Sequence, residues 1–224
     1  MTQGNRIGSI IRVDYFKKIM DEIEKLCHRY PALKSCKDSI HESSQLLVET
    51  FRSGNKLLIC GNGGSAADCE HISGELIKRF NNPRALTPEL SDRLGPELAK
   101  NLHGGLPALS LPSMVGFHTA FTNDDDPSYA FAQQVLAFGK SGDLLLAIST
   151  SGNSQNLIHA VNTAKAIGVK TLALTGNSGG KLFPLCDLLI RAPAHKTPDI
   201  QEFHLPIYHA LCTVVENRLF PDPA

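Results

Sequence analysis

Two short stretches of the sequence concentrate groups that bind anions. The first, Gly61-Asn62-Gly63-Gly64-Ser65, holds three glycines. They let backbone N–H groups approach a ligand closely, and Ser65 can cap the following helix and offer its hydroxyl. The second, Ser149-Thr150-Ser151-Gly152-Asn153-Ser154, sets four hydroxyl side chains around one glycine. Hydroxyl and N–H donors at a helix N-terminus wrap a phosphate without a fixed positive charge. The plain alternative for either loop is a turn that ends in a helix cap. Neither loop contains G-x-G-x-x-G, and the chain has no G-x-x-x-x-G-K-[ST] run. The expected ligand is therefore a sugar phosphate rather than a nucleotide.

Imidazole, carboxylate and amide groups recur at helical spacing. His71 and Glu75 are four positions apart and share a face of the helix after the first loop. Gln201 and His209, with His204 between them, fall on the last helix, where eight residues make a little over two turns. Two nitrogens and two oxygens from these pairs make a four-ligand zinc site. The same four side chains can equally form a metal-free hydrogen-bonded cluster, and a His/Glu pair alone reads as a solvated surface pair. Beside a phosphate loop the set suits aldose–ketose isomerisation through an enediol. A carboxylate removes the carbon-bound proton, an imidazole serves the oxygens, and a metal polarises the carbonyl. Glu75 is the expected base and His209 the expected acid.

A scaffold of alternating strands and helices must hold these groups. Apolar residues follow helical spacing over 13–30, and a second amphipathic helix is predicted over 34–52. The runs 56–60, 143–149, 169–175 and 187–191 read as buried strands, with a weaker one at 107–111. Helices are predicted over 66–80 and near 128–138, 154–167 and 200–219. The fold class is α/β: a three-layer α/β/α sandwich around a five-stranded parallel sheet, with an N-terminal helical extension. The whole chain, 1–224, reads as a single domain, with N-terminal helices over about 12–53 and the α/β core over about 54–220. The segment 81–106, with Pro83, Pro88 and Pro96, fits the alternation poorly and reads as an insertion: a lid, an oligomer contact or a surface excursion.

Composition narrows the partners. Lys plus Arg and Asp plus Glu are both 22, so no basic excess marks a nucleic-acid binder. No apolar run approaches the ~20 residues of a membrane span, and the first residues lack the features of a signal peptide. Six cysteines show no C-x-x-C spacing and several lie in apolar runs, which suits reduced core thiols. The expectation is a cytoplasmic protein without disulfides that binds a small molecule or another protein.

Gly61-Asn62-Gly63-Gly64-Ser65 followed by His71 and Glu75 resembles the first motif of the phosphoheptose isomerases, members of the wider sugar isomerase (SIS) domain group. Ile148-Ser149-Thr150-Ser151-Gly152-Asn153-Ser154 is similar to that family's phosphate loop. Ile200-Gln201-Glu202-Phe203-His204 with His209 is similar to its C-terminal signature. The three motifs occur in the family's order over roughly residues 40–220. The resemblance implies isomerisation of sedoheptulose 7-phosphate to D-glycero-D-manno-heptose 7-phosphate. It implies zinc held by His71, Glu75, Gln201 and His209, and a homotetramer with active sites between subunits. Phosphate falls to Ser65, Ser149, Thr150, Ser151 and Ser154, with Gly63 in the first loop, and Asn62, Arg79 and Asp124 match substrate positions. The chain departs from the family in its long 81–106 stretch, in Leu111-Pro112-Ser113, and in the acidic Asp125 and Asp126. Two rivals stand beside this reading: a non-catalytic sugar-phosphate-sensing or protein-binding module, and an isomerase of a hexose or pentose phosphate. A fold alone does not separate them, although a pure binding module has no need of base and acid together.

Overall fold

The apolar runs become the strands of one parallel sheet in the computed structural model, which describes residues 22–220. They are β1 (Leu57–Gly61), β2 (Ala108–Ser110), β3 (Leu144–Ser149), β4 (Lys170–Thr175) and β5 (Leu188–Arg191), in the order β2-β1-β3-β4-β5. Every residue of β1 and β3 is buried. Side chains alternate between the two faces of a strand, so each strand feeds two cores. Leu57, Ile59, Leu144, Leu146 and Ile148 enter one core, and Leu58, Cys60, Leu145 and Ala147 enter the other. The register from Leu57↔Leu144 to Gly61↔Ile148 keeps the two sets in step.

The helices are α1 (22–29), α2 (Lys37–Arg52), α3 (Gly64–Ile77), α4 (Pro88–Asn101), α5 (Val115–Asp124), α6 (Ala130–Phe138), α7 (Gln155–Ala166) and α8 (Thr197–Leu219). Helices α1, α2, α3 and α8 bury their apolar faces in the first core, and α6 and α7 in the second. This is the expected three-layer sandwich. The strand order reverses between β1 and β3: α3 leaves β1 toward one face, and α7 leaves β3 toward the other. Such a switch point opens a crevice at the carboxyl ends of the strands. Both glycine- and serine-rich loops stand there.

Several boundaries differ from the expectations. Pro31 opens a 3-10 turn to Cys36, so the second helix begins at Lys37 rather than 34. Helix α3 begins two residues early, at Gly64, and stops at Ile77 rather than 80. Of the helix expected over 13–30, residues 13–21 lie outside the described residues. Helix α5 was not expected; it buries none of its ten residues and so carries no apolar stripe to read. The 81–106 segment folds its middle into α4, which is broken at Gly95 (φ 76°) just before Pro96 and also buries nothing. The segment is rooted by Arg84. Its side chain is fully buried and donates to Glu216 Oε1 at 2.7 Å and to the carbonyls of Glu75 (2.9 Å) and Leu76.

Candidate active site

A contact between side chains joins the glycine-rich loop to the first turn of α7, next to the serine-rich loop, across the switch point. The amides of Asn62 and Asn156 exchange two hydrogen bonds, at 3.0 and 2.9 Å. Asn156, in the first turn of α7, was not singled out in the sequence. In the second loop the buried Ser149 hydroxyl accepts the Gly152 N–H at 3.2 Å and pairs with Ser154 Oγ at 3.3 Å. Ser151 accepts the Asn153 N–H at 3.1 Å and is itself exposed. Ser154 is the N-cap of α7, yet its side chain makes no capping bond. The first N–H groups of a helix have no partner within it, so this end suits an anion.

A third loop braces the second. Gly176 N–H donates to Thr150 O at 3.0 Å, Leu182 N–H to Gly152 O at 3.1 Å, and Lys181 N–H to Asn153 Oδ1 at 3.1 Å. Gly152 adopts φ 67° and lies against the Gly179 carbonyl so closely that a Cβ would overlap it. Only glycine serves there. In the first loop the cap is Gly63 (φ 57°), not Ser65. Ser65 is buried within the first turn of α3 and gives its N–H to Asn62 O.

Helices α3 and α8 lie side by side and advance in the same direction, so their polar residues meet in order. His71 Nε2 is 3.4 Å from His209 Nε2 and 3.4 Å from Glu75 Oε1. Glu75 Oε2 accepts from Lys78 Nζ at 2.7 Å. The Tyr208 hydroxyl lies 3.0 Å from His71 Nδ1 and donates to Asp68 Oδ1 at 3.3 Å. Burial, followed by the nearby His71 and Arg29, holds the His209 imidazole below its ordinary pKa, against the pull of Glu75. His209 also lines a cavity of about 610 Å³ between α1 and α8. The linings of that cavity include no residue of the serine loop.

Three of the four expected metal-binding residues are thus drawn together, and Gln201 is not. Its amide packs on the backbone of Gly64, seven residues ahead of His71 on α3. The donor chemistry fits zinc. Two nitrogens bound to one tetrahedral zinc stand about 3.3–3.4 Å apart, which is the separation of the two Nε2 atoms here. As they stand, however, no three His, Cys, Asp or Glu side chains among the described residues are grouped around one metal position. His71 is the common neighbour of the other two, and Glu75 is drawn toward Lys78. Arg79 and Asp124 are exposed, and neither is hydrogen-bonded or ion-paired to the loops or to this cluster; Asp124 accepts from the Asn123 amide at 2.8 Å. The acidic run after it has a local role, because Asp126 accepts the Ser128 N–H at 2.8 Å and caps a 3-10 turn.

A 2-1-3-4-5 parallel sheet, hydroxyl-rich loops at its switch point and a parallel α3/α8 pair carrying His, Glu and Gln define an SIS-domain protein. A family model described as SIS domain matches residues 15–103 and 97–176. The chain is 38% identical over 187 residues to the phosphoheptose isomerase of Aliarcobacter butzleri, covering 84% of this chain and 89% of that one. It is 37% identical over 203 residues to the phosphoheptose isomerase of Rhodospirillum rubrum, covering 89% and 98%. The solved structure of a phosphoheptose isomerase from Francisella tularensis superposes with a TM-score of 0.71 at 30% identity, covering 97% of this chain and all of that one. The chain belongs to the phosphoheptose isomerase family, and is an isomerase.

Proposed function

We propose that the protein converts sedoheptulose 7-phosphate to D-glycero-D-manno-heptose 7-phosphate. The observation that carries this reading is the convergence of Glu75, His71 and His209 on one side of the α3/α8 pair. It is supported by the phosphate-type loops at the start of α3 and α7. From Gly64 to His71 the helix rises about 10 Å, which leaves room for an extended sugar between a terminal phosphate and its carbonyl end.

In this reading Glu75 takes a proton from C1 of the ketose while His209 protonates the C2 oxygen, giving an enediol. Glu75 then returns its proton to C2, and His209 takes the proton of the C1 hydroxyl, leaving the aldehyde. Burial favours the neutral form of the His209 imidazole, and a neutral imidazole can donate its N–H to a carbonyl. His71, Glu75 and His209 would hold zinc, and Gln201 would have to swing away from its contact with Gly64 to serve as fourth donor. Bound there, zinc supplies polarisation of the carbonyl and stabilisation of developing negative charge. Ser149, Thr150, Ser151 and Ser154, with Gly63 and Ser65, take the phosphate. Asn62 braces the loops through Asn156 and faces the sugar. Copies of the chain assemble as a homotetramer in the cytoplasm, with active sites between subunits. Among the described residues, no helix is long and apolar enough to cross a membrane.

The test is Glu75→Gln in the purified protein, assayed on a panel of C5 to C7 ketose phosphates. Turnover of the heptulose phosphate should fall at least ~100-fold with substrate binding retained. Near-normal turnover removes Glu75 as the base, and preferential turnover of a shorter sugar by the parent overturns the substrate. Protein prepared without chelator or tag metal should carry one zinc per site by elemental analysis. Full activity without metal, unmoved by added zinc or chelator, overturns the zinc reading.

A further inference from the structure

We propose that Tyr208, anchored by Asp68, is a positioning residue that fixes the tautomer of His71 and aims the lone pair of its Nε2 into the site. This rests on the role given above to His71. Tyr208 is buried on α8 beside His209, and Asp68 stands one turn ahead of His71 on α3. The phenol oxygen is 3.0 Å from His71 Nδ1 and 3.3 Å from Asp68 Oδ1.

A tyrosine hydroxyl has one hydrogen, and an ionised carboxylate can only accept. The hydrogen therefore goes to Asp68. The contact with His71 is then a hydrogen bond only if Nδ1 carries the ring proton and donates to the phenol oxygen. In the neutral ring that choice empties Nε2 of hydrogen. Nε2 is the atom 3.4 Å from both His209 Nε2 and Glu75 Oε1. With its lone pair facing a carboxylate oxygen and a second imidazole nitrogen, the space between them suits a metal cation; without one, a proton from either ring can fill it. The opposite tautomer would point an N–H into the same space and leave no electron pair for a metal. A metal-binding imidazole whose other nitrogen donates to an outer partner is a recurrent design, and loss of that partner weakens metal binding 10- to 100-fold.

Tyr208→Phe keeps the ring and deletes the one oxygen that both contacts use. In metal-free wild type at alkaline pH, nitrogen–proton NMR correlations of the His71 ring should show the Nδ1–H tautomer. In Tyr208→Phe they should shift toward Nε2–H. Zinc affinity, read by competition with a chromophoric chelator, should fall 10- to 100-fold in a variant that still unfolds in one cooperative transition. Asp68→Ala frees the tyrosine hydrogen for Nδ1 and should shift the tautomer the same way. It serves as the test if the phenylalanine variant does not fold. An Nε2–H tautomer in wild type overturns the inference, as does wild-type zinc affinity in a folded Tyr208→Phe. Wild type that shows the Nδ1–H tautomer and loses it in the variants, but binds no zinc, upholds the inference and removes the metal instead.

Discussion

Replacing His204 by leucine should make the protein less sensitive to acid, and the size of the effect follows from how the ring is held. His204 is fully buried on α8, between Gln201 and Tyr208. Its Nε2 faces the Thr175 carbonyl at 3.3 Å, and Nδ1 has no partner among the described residues. Burial pushes its pKa down from 6.5 to about 4, against the hydrogen bond to Thr175. Between those two values the unfolded chain binds a proton that the folded chain refuses. Stability is therefore fully present above about 6.5 and is lost as pH falls toward 4. At about 1.4 kcal/mol per pH unit the whole interval amounts to about 3 kcal/mol, of which about 2 kcal/mol is lost by pH 5. Leucine has a similar volume, and the Thr175 carbonyl still receives the Ala192 N–H at 2.8 Å, so the replacement strands no acceptor. Urea unfolding of both proteins from pH 8 to pH 5 reads the difference, because other titrating groups are common to both. Wild type should lose about 2 kcal/mol more than the variant across that range. Parallel pH curves would refute the reasoning and place a compensating charge or water beside the ring.

Ser151→Ala and Ser154→Ala should each weaken a phosphorylated ligand by about 1.5–3 kcal/mol and leave the unphosphorylated sugar unaffected. Equal losses for both ligands in calorimetry would show that this loop does not read phosphate. Glu216→Gln should destabilise the fold by about 3–5 kcal/mol in urea, because it leaves the fully buried Arg84 without its counter-charge. Burial opposes the charge of Glu216, but the N–H groups of Phe80 and Asn81, then Arg84 and Asn82, outweigh it and hold its pKa below the usual 4.5. The loss should therefore be full above about pH 4.5 and shrink in stronger acid; a variant within 1 kcal/mol of wild type at neutral pH overturns the pairing.

The strands and the glycine- and serine-rich loops that follow β1 and β3 were legible because each is a local pattern: an apolar run that stops at glycines and hydroxyls. Contacts between elements left no such trace. Arg84 and Glu216 are separated by 132 positions, and Asn62 and Asn156 by 94. No spacing rule within one helix or strand connects them. Tyr208 stood next to a residue already singled out, yet its value depends on which side of α8 meets α3. Gln201 shows the limit of spacing from the other direction. Eight residues bring a helix about 80° past two full turns and about 12 Å along its axis. Gln201 and His209 therefore face the same partner helix at different heights, one over Gly64 and the other over His71. Helix α5 escaped notice for the opposite reason, since a helix that buries nothing has no stripe.

The α3/α8 pair is pinned at three levels, and the order of those levels explains how a long insertion coexists with a precise cluster. Gln201 on Gly64 holds the leading ends together, and Tyr208 ties Asp68 and His71 in the middle. At the far end the Glu216 carboxylate takes the N–H groups of Phe80, Asn81 and Asn82 at 2.7–2.9 Å. Two helices fixed at both ends have little freedom between them, and His71, Glu75 and His209 lie in that interval. The insertion begins at the last pin, to which its first residues Asn81 and Asn82 belong, and α4 buries none of its residues. Changes on α4 therefore reach the site through the two roots of the segment: Arg84, whose guanidinium bridges Glu216 to the carbonyls of Glu75 and Leu76, and Leu106, whose N–H donates to Leu76 O at 3.0 Å. A substitution at Leu98, exposed on α4, should leave the cluster where it is. One at Arg84 releases the backbone of Glu75 itself, and so acts on the proposed base from nine positions away.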